Sequence, residues 1–100
     1  MQYLVMTHRY SDRFSAANFA ELLPAETRRV RDLYANGVIR QIWLRDDIRG
    51  AAFIIEADSQ GAAQGVVDSL PLAQRGMSEF TVIPLKPYTG FGADPPDRPA

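Results

Sequence analysis

The feature that most constrains this chain is the order in which short β-rich runs and helical runs follow one another. Runs rich in β-forming residues predict four strands, at residues 2–8, 38–45, 51–57 and 78–85. Apolar residues at three- and four-residue spacing predict two helices between them, over residues 15–36 and about 59–70. The resulting β-α-β-β-α-β order predicts an α+β, ferredoxin-like domain with a four-stranded antiparallel sheet.

A few residues mark where these elements begin and end. Pro24 has no amide hydrogen to donate, so it predicts a break or kink, with the main part of the first helix beginning at Pro24. Gly37 supplies the left-handed cap that ends this helix. Either Asp58 or Ser59 caps the second helix. Pro84 confines the last strand to a sheet edge or a bulge.

Two helices cover only one face of such a sheet, so the other face needs a partner. Strands 1 and 3 carry apolar residues on both faces, as strands do when they are covered on both sides. Pairing through a twofold axis is the commonest arrangement in soluble oligomers. We therefore expect a homodimer or a higher homo-oligomer, built as a dimeric α+β barrel.

The composition fits a small soluble domain and argues against several classes of function. The 100 residues suit one domain over residues 1–88, with a Pro/Gly-rich tail at 89–100 that is expected to be disordered beyond about Phe91. Eleven basic and twelve acidic side chains nearly cancel, which argues against a nucleic-acid partner. No apolar run is long enough to span a membrane and no signal-peptide pattern is present, so we expect no membrane partner and a cytoplasmic location. With no cysteine and one histidine, a thiol site or a nitrogen- and sulfur-rich metal site is not expected.

Glu26 is the most informative candidate for chemistry. The spacing of Leu23, Val30 and Leu33 places it on the apolar stripe of the first helix. A carboxyl group in an apolar pocket has a raised pKa and exchanges protons near neutral pH, so Glu26 is a candidate catalytic acid and base. The alternative is structural: if the helix begins at Pro24, Glu26 lies in its first turn, where the helix dipole favours acids.

Arg40 and His8 are further candidates, and each has a structural alternative. Arg40 interrupts an otherwise apolar strand face with Val38 and Ile42. Its guanidinium either pairs with Glu26, holds a substrate carboxylate, or reaches water at the end of the sheet. His8 is the only histidine, and its pKa range suits acid–base catalysis, although a histidine at a strand end is more often a surface or hydrogen-bonded structural residue.

Two aromatic residues are candidates for contact with a substrate. Trp43, assigned to a strand face with Ile39 and Gln41, is either an anchor in a subunit interface or the wall of a pocket for a flat ligand. Tyr3 is the weaker candidate, because packing in the sheet explains it as well. The sequence contains no glycine-rich phosphate loop, nucleophile elbow or zinc-ligand spacing.

Several of these residues form a pattern that resembles the muconolactone isomerase family. The pattern consists of Glu26, Asn-Gly at residues 36–37, Arg40, Trp43 and Leu-Pro-Leu at residues 70–72. The resemblance extends over about residues 3–85. Residues 73–80 and 82–88 also resemble the YciI-like proteins, which are dimeric α+β barrels too, although their His–Asp pair is lacking here.

The resemblance implies a proton shift, without metal or organic cofactor, in a small lactone that carries a carboxylate. Glu26 would be the base and acid, Arg40 would hold the carboxylate or stabilise enolate-like charge, and Trp43 would wall the pocket. Two alternatives stay open. One is a cofactor-free monooxygenase of the same superfamily, with an aromatic substrate. The other is a non-catalytic ligand-binding module in which Glu26 and Arg40 form only an ion pair.

Overall fold

The computed structural model of this chain describes residues 1–92. Its strands are β1 (Gln2–Arg9), β2 (Ile39–Leu44), β3 (Ala51–Glu56) and β4 (Ser78–Pro84). Its helices are α1 (Ala16–Ala35), α2 (Gln60–Asp68) and α3 (Pro71–Gln74), and a 3₁₀ turn follows at Thr89–Phe91. The part of the predicted disordered tail from residue 93 onward lies outside the described residues.

The four strands form one sheet in the order β2-β3-β1-β4, and every neighbouring pair is antiparallel. The predicted α+β class and ferredoxin-like order are therefore confirmed, and β2 and β3 form a hairpin. This is the protomer architecture of dimeric α+β barrels. Pro84 closes the edge strand β4, as its missing amide hydrogen predicts. Within the described residues, no helix is both long and apolar enough to cross a bilayer.

The core lies between the helices and one face of the sheet, which we call the cavity face. Alternate residues of the central strands β1 and β3 meet the apolar stripes of α1 and α2 there. The buried residues of this core are Tyr3, Val5, Leu33, Ile39, Phe53, Ile55, Ala63, Val67 and Leu70. In α2, Ala63 and Val67 are buried, whereas Ala62 is exposed and gives its amide to the Ser59 cap.

Helix α1 is continuous, so the prediction that its main part begins at Pro24 is wrong. It starts after Ser15, whose hydroxyl accepts from the Asn18 amide at 3.2 Å while the Asn18 side chain accepts from the Ser15 amide at 2.9 Å. Phe19 is buried in this first part. The cap and this packing stabilise the turns before Pro24 and offset the helical hydrogen bond that proline removes. Gly37, with φ of 75°, ends the helix as predicted.

A β-bulge in β2 changes the predicted strand faces. Ile39 and Gln41 pair with consecutive residues of β3, so Arg40 is the extra residue of the bulge. Beyond a one-residue bulge, every side chain moves to the other face. Ile42 therefore shares the cavity face with Ile39, while Gln41 and Trp43 lie on the opposite face. The predicted groupings, Arg40 with Ile42 and Trp43 with Ile39, are both wrong for this reason.

Among residues 1–92, no helix covers the opposite sheet face, which we call the open face. Its paired positions are Gln2, Leu4, Met6, His8, Gln41, Trp43, Ala52, Ile54, Glu56, Glu79, Thr81 and Ile83. Trp43 is 51% exposed, which is unusual for so large an apolar side chain.

Candidate active site

A cavity of about 200 Å³ lies between helix α1 and the cavity face of the sheet. Its wall is mainly apolar and includes Leu23, Val30, Ile42, Phe53, Leu70 and Phe80. Its polar residues are Thr7, Arg9, Glu26, Thr27 and Ser78. Ligand pockets for drug-sized molecules occupy about 300 to 1,000 Å³, so this cavity suits a smaller, metabolite-sized compound.

Glu26 reaches this cavity from the middle of α1. Its Oε1 accepts a hydrogen bond from the Leu72 amide at 2.9 Å. Leu72 stands at the start of α3, where the N-cap residue Leu70 offers no side-chain acceptor. Glu26 thus supplies the missing cap of a neighbouring helix. The interpretation that Glu26 stabilises the N-terminus of its own helix is wrong, because α1 begins ten residues earlier, at Ala16.

The surroundings of Glu26 favour its protonated form. Burial raises the pKa of Glu26 above the ordinary 4.5, although the Leu72 amide and the positive charge of Arg9 act in the opposite direction. Within the described residues, Oε2 makes no protein hydrogen bond. The group therefore combines a raised proton affinity with one oxygen that is not engaged by the protein.

Among the described residues, Arg9 is the cation that lines this cavity, and it was not among the candidates predicted from the sequence. It ends β1 on the cavity face, two residues after Thr7, and its guanidinium carbon lies 5.5 Å from the centre of the Phe19 ring. The signal was present in the alternation of β1, because Tyr3, Thr7 and Arg9 share one face.

The β2–β3 hairpin closes one side of the cavity through contacts with Thr7. The Ala51 amide donates to the Thr7 hydroxyl at 2.9 Å, and the Arg45 guanidinium donates to the Thr7 carbonyl at 3.3 Å. Gly50 packs directly on the Thr7 backbone, where a β-carbon would collide with the carbonyl oxygen. Arg45 also forms two bonds to Asp47, at 2.7 and 3.1 Å, which lower the pKa of Asp47 to about 2.

Comparison with known proteins gives the family. The family described as muconolactone delta-isomerase matches residues 1–90. The chain belongs to the muconolactone delta-isomerase family. Among curated proteins no match is found.

A solved structure supports the same fold. It is 5-chloro-2-hydroxyhydroquinone dehydrochlorinase from Burkholderia phenoliruptrix AC1100, in complex with 2,5-dihydroxybenzoquinone. The two chains are 21% identical, and the match covers 86% of this chain and 94% of the other, with a TM-score of 0.64.

The structure places the residues of the family pattern in two different regions. Glu26 lines the cavity, whereas Arg40 and Trp43 line a shallow surface depression beside Tyr34. Arg40 makes no ion pair with Glu26 among residues 1–92, and Arg9 is the guanidinium that lines the cavity with Glu26. The bulge at Arg40 explains the separation, because it turns the following residues to the other face.

His8 and Tyr3 also lie away from the cavity. His8 is on the open face, where its Nδ1 is 3.3 Å from the Glu79 carboxylate and its ring meets Tyr10 edge-on. Tyr3 is only 1% exposed and belongs to the core, with its hydroxyl directed to the Met1 sulfur. The part of the chain that the structure describes contains no cluster of three or more His, Asp or Glu residues suited to a metal ion.

Proposed function

We propose that this member of the muconolactone delta-isomerase family is a cofactor-free enzyme that moves a proton within a small anionic carbonyl compound. A lactone of the muconolactone type is the first candidate substrate. The observation that carries the proposal is the Glu26 carboxyl group on the wall of an apolar cavity that also holds Arg9. Of the candidate residues predicted from the sequence, Glu26 is the one that lines the cavity and has a raised pKa, and proton transfer needs both properties.

The proposed reaction needs one carboxyl group and balances without a co-reactant. Glu26 takes a proton from a carbon alpha or gamma to the carbonyl, and the C–H electron pair delocalises toward the carbonyl oxygen. The protonated Glu26 then returns the proton to another carbon of the same conjugated system. The double bond has moved, and the enzyme is back in its starting state.

Arg9 has the second role in this proposal. Its guanidinium holds the substrate carboxylate by charge-assisted hydrogen bonds. The sequence-based hypothesis gave this role to Arg40, but Arg9 is the residue that lines the cavity together with Glu26. The apolar wall keeps bulk water from the intermediate, where water would compete for its proton.

We propose that the working form is a homodimer in which two open faces pack against each other. The exposed apolar side chains of Trp43 and Ile83 support this arrangement, and Leu4, Met6 and Ile54 continue the same surface. In this assembly Trp43 is an interface anchor. The small molecule binds on the other side of each sheet.

One observation favours a non-catalytic alternative. Glu26 already has a structural partner in the Leu72 amide, so a binding module that uses Glu26 only to cap α3 would show the same contact. The two functions differ in what they need from this residue: proton transfer needs an ionisable oxygen, whereas the cap needs only an acceptor.

The test is Glu26→Gln, because the amide oxygen still accepts from Leu72 while the side chain no longer carries a proton. Muconolactone is incubated in deuterated water, and both deuterium incorporation and isomerisation are followed by NMR. We expect the rate to fall about 100- to 10,000-fold with the melting temperature unchanged or raised. Glu21→Gln, an exposed change on the same helix, is the control. Equal turnover by Glu26→Gln and wild type would remove Glu26 from the mechanism, and the absence of turnover in wild type would favour the binding module.

A further inference from the structure

Ser78 occupies a special position beside the proposed catalytic pair. It is the first residue of β4, lies opposite Arg9 in the sheet, and lines the cavity. Residues that face each other across antiparallel strands have their Cβ atoms about 4.5 to 5.5 Å apart, so Ser78 and Arg9 present neighbouring side chains. Ser78 is 8% exposed.

The Ser78 hydroxyl differs from the other serine and threonine hydroxyls near the core. Thr7 accepts from the Ala51 amide, Ser59 caps α2, and Ser69 donates to the Val66 carbonyl at 2.6 Å. Within residues 1–92, the Ser78 hydroxyl is a buried side-chain polar group without a hydrogen-bond partner. Such groups are rare in folded proteins, because an unsatisfied buried hydroxyl is costly, and each one calls for an explanation.

We infer that the Ser78 hydroxyl is a catalytic hydrogen-bond donor that binds the ring carbonyl oxygen of the substrate, next to the carboxylate held by Arg9. This inference rests on the proposed function and names the part of the substrate that the cavity recognises. Negative charge develops on that carbonyl oxygen when Glu26 removes the proton, so the hydrogen bond strengthens as the reaction proceeds.

The arrangement defines a substrate class. In a lactone of the muconolactone type, the ring carbonyl, the ring oxygen and the arm with the carboxylate follow one another along one edge of the ring. Arg9 and Ser78 are matched to such an oxygen-rich edge, while Val30, Phe53 and Leu70 suit the hydrocarbon edge. A small unsaturated lactone or cyclic enone with an adjacent carboxylate fits this division.

The experiment combines two substrates with variants of the full chain. The substrates are muconolactone and β-angelica lactone, which keeps the ring carbonyl, the double bond and the γ-proton but has a methyl group in place of the carboxylate arm. The variants are Ser78→Ala, Arg9→Met and Ser11→Ala, the last removing an exposed hydroxyl outside the cavity. Deuterium incorporation by NMR gives kcat and KM, and thermal denaturation checks the fold.

We expect Ser78→Ala to lower kcat about tenfold or more for both lactones, with a smaller change in KM, because the lost bond is strongest in the transition state. Arg9→Met should act mainly on muconolactone, and Ser11→Ala should match wild type.

Three results would overturn the inference about Ser78 while leaving the proposed function intact. The first is an unchanged kcat in Ser78→Ala. The second is a fall in kcat for muconolactone but not for the other lactone. The third is a lowered melting temperature together with equal changes in kcat and KM. A wild-type protein that exchanges no proton in either lactone would overturn the proposed function and this inference together.

Discussion

The two faces of the sheet carry different kinds of polar residue. At the cavity face, Arg9 of β1 and Glu26 of the overlying helix α1 lie on the wall of an apolar cavity, and the pKa of Glu26 is raised. On the open face, His8 and Glu79 form a half-exposed pair among apolar side chains. The proposed proton transfer uses the first environment, and the proposed association between subunits uses the second. The role of a charged residue in a family pattern therefore depends on which side of the sheet its side chain lies.

The largest expected effect comes from adding a methyl group where the β2–β3 hairpin packs on β1 at the cavity. Gly50→Ala would place a methyl group against the Thr7 carbonyl, where only backbone movement would make room. We expect a loss of about 3 kcal/mol in the free energy of unfolding, measured by urea denaturation. Gly65→Ala on α2 has open space around the new carbon and should instead stabilise by up to about 1 kcal/mol. Similar behaviour of the two variants would show that the hairpin is not packed as described.

A second prediction compares the two arginines that compete for one role. Arg9→Met should weaken the binding of muconolactone by about 1.5 to 3 kcal/mol, since it removes charge-assisted hydrogen bonds. Arg40→Met should have little effect, because Arg40 lies outside the cavity. Dissociation constants from NMR titration decide between them. An equal loss of binding free energy in both variants would mean that Arg40 also supplies a positive charge to the cavity, and it would contradict the distinction between the two arginines.

The open face is tested through the state of association. Trp43→Ala should weaken the proposed dimer by about 2 kcal/mol, because large buried aromatic residues dominate protein interfaces. Sedimentation velocity over a range of concentrations should show more monomer than in wild type. Arg28→Ala, on the exposed side of α1, is the matched surface change and should leave association unaltered. A wild-type protein that stays monomeric would remove the proposed role of this face.

The smallest expected effect concerns pH. Because burial raises the pKa of Glu26, the folded chain holds this proton to a higher pH than the unfolded chain does. The stability that this proton contributes is complete below 4.5 and is lost as the pH rises through the raised pKa. Glu26→Gln cannot titrate, so its stability relative to wild type should increase with pH across this window. Chemical denaturation at several pH values measures the difference, and a constant difference would contradict the raised pKa.

Much of the fold could be predicted from local sequence. The order of the elements, the hairpin, the cap at Gly37 and the place of Glu26 on a buried stripe all follow from spacing and residue type. The features that were wrong depend on single residues whose effect is not local. Pro24 is tolerated because a capped, packed turn precedes it, and the bulge at Arg40 is visible only in the pairing with β3.

The candidate site was only partly predictable for the same reason. Glu26 was found because a carboxylate among leucines and valines stands out in a helical pattern. Its contact with Leu72 joins residues 46 positions apart and involves a four-residue helix. This helix was not predicted from the sequence, although a proline such as Pro71 is common at the first position of a helix. Arg9 was missed although it continues the alternation of β1 by one more step.

The hydrogen bond from the Leu72 amide to Oε1 of Glu26 has a stereochemical consequence. Because one oxygen accepts from a backbone amide, Oε2 is the oxygen that remains for proton transfer in the proposed reaction. A single stationary oxygen reaches only one side of a flat ring. In the proposed reaction the hydrogen is therefore withdrawn from and restored to the same side, so a chirally deuterated product should carry its label with one configuration.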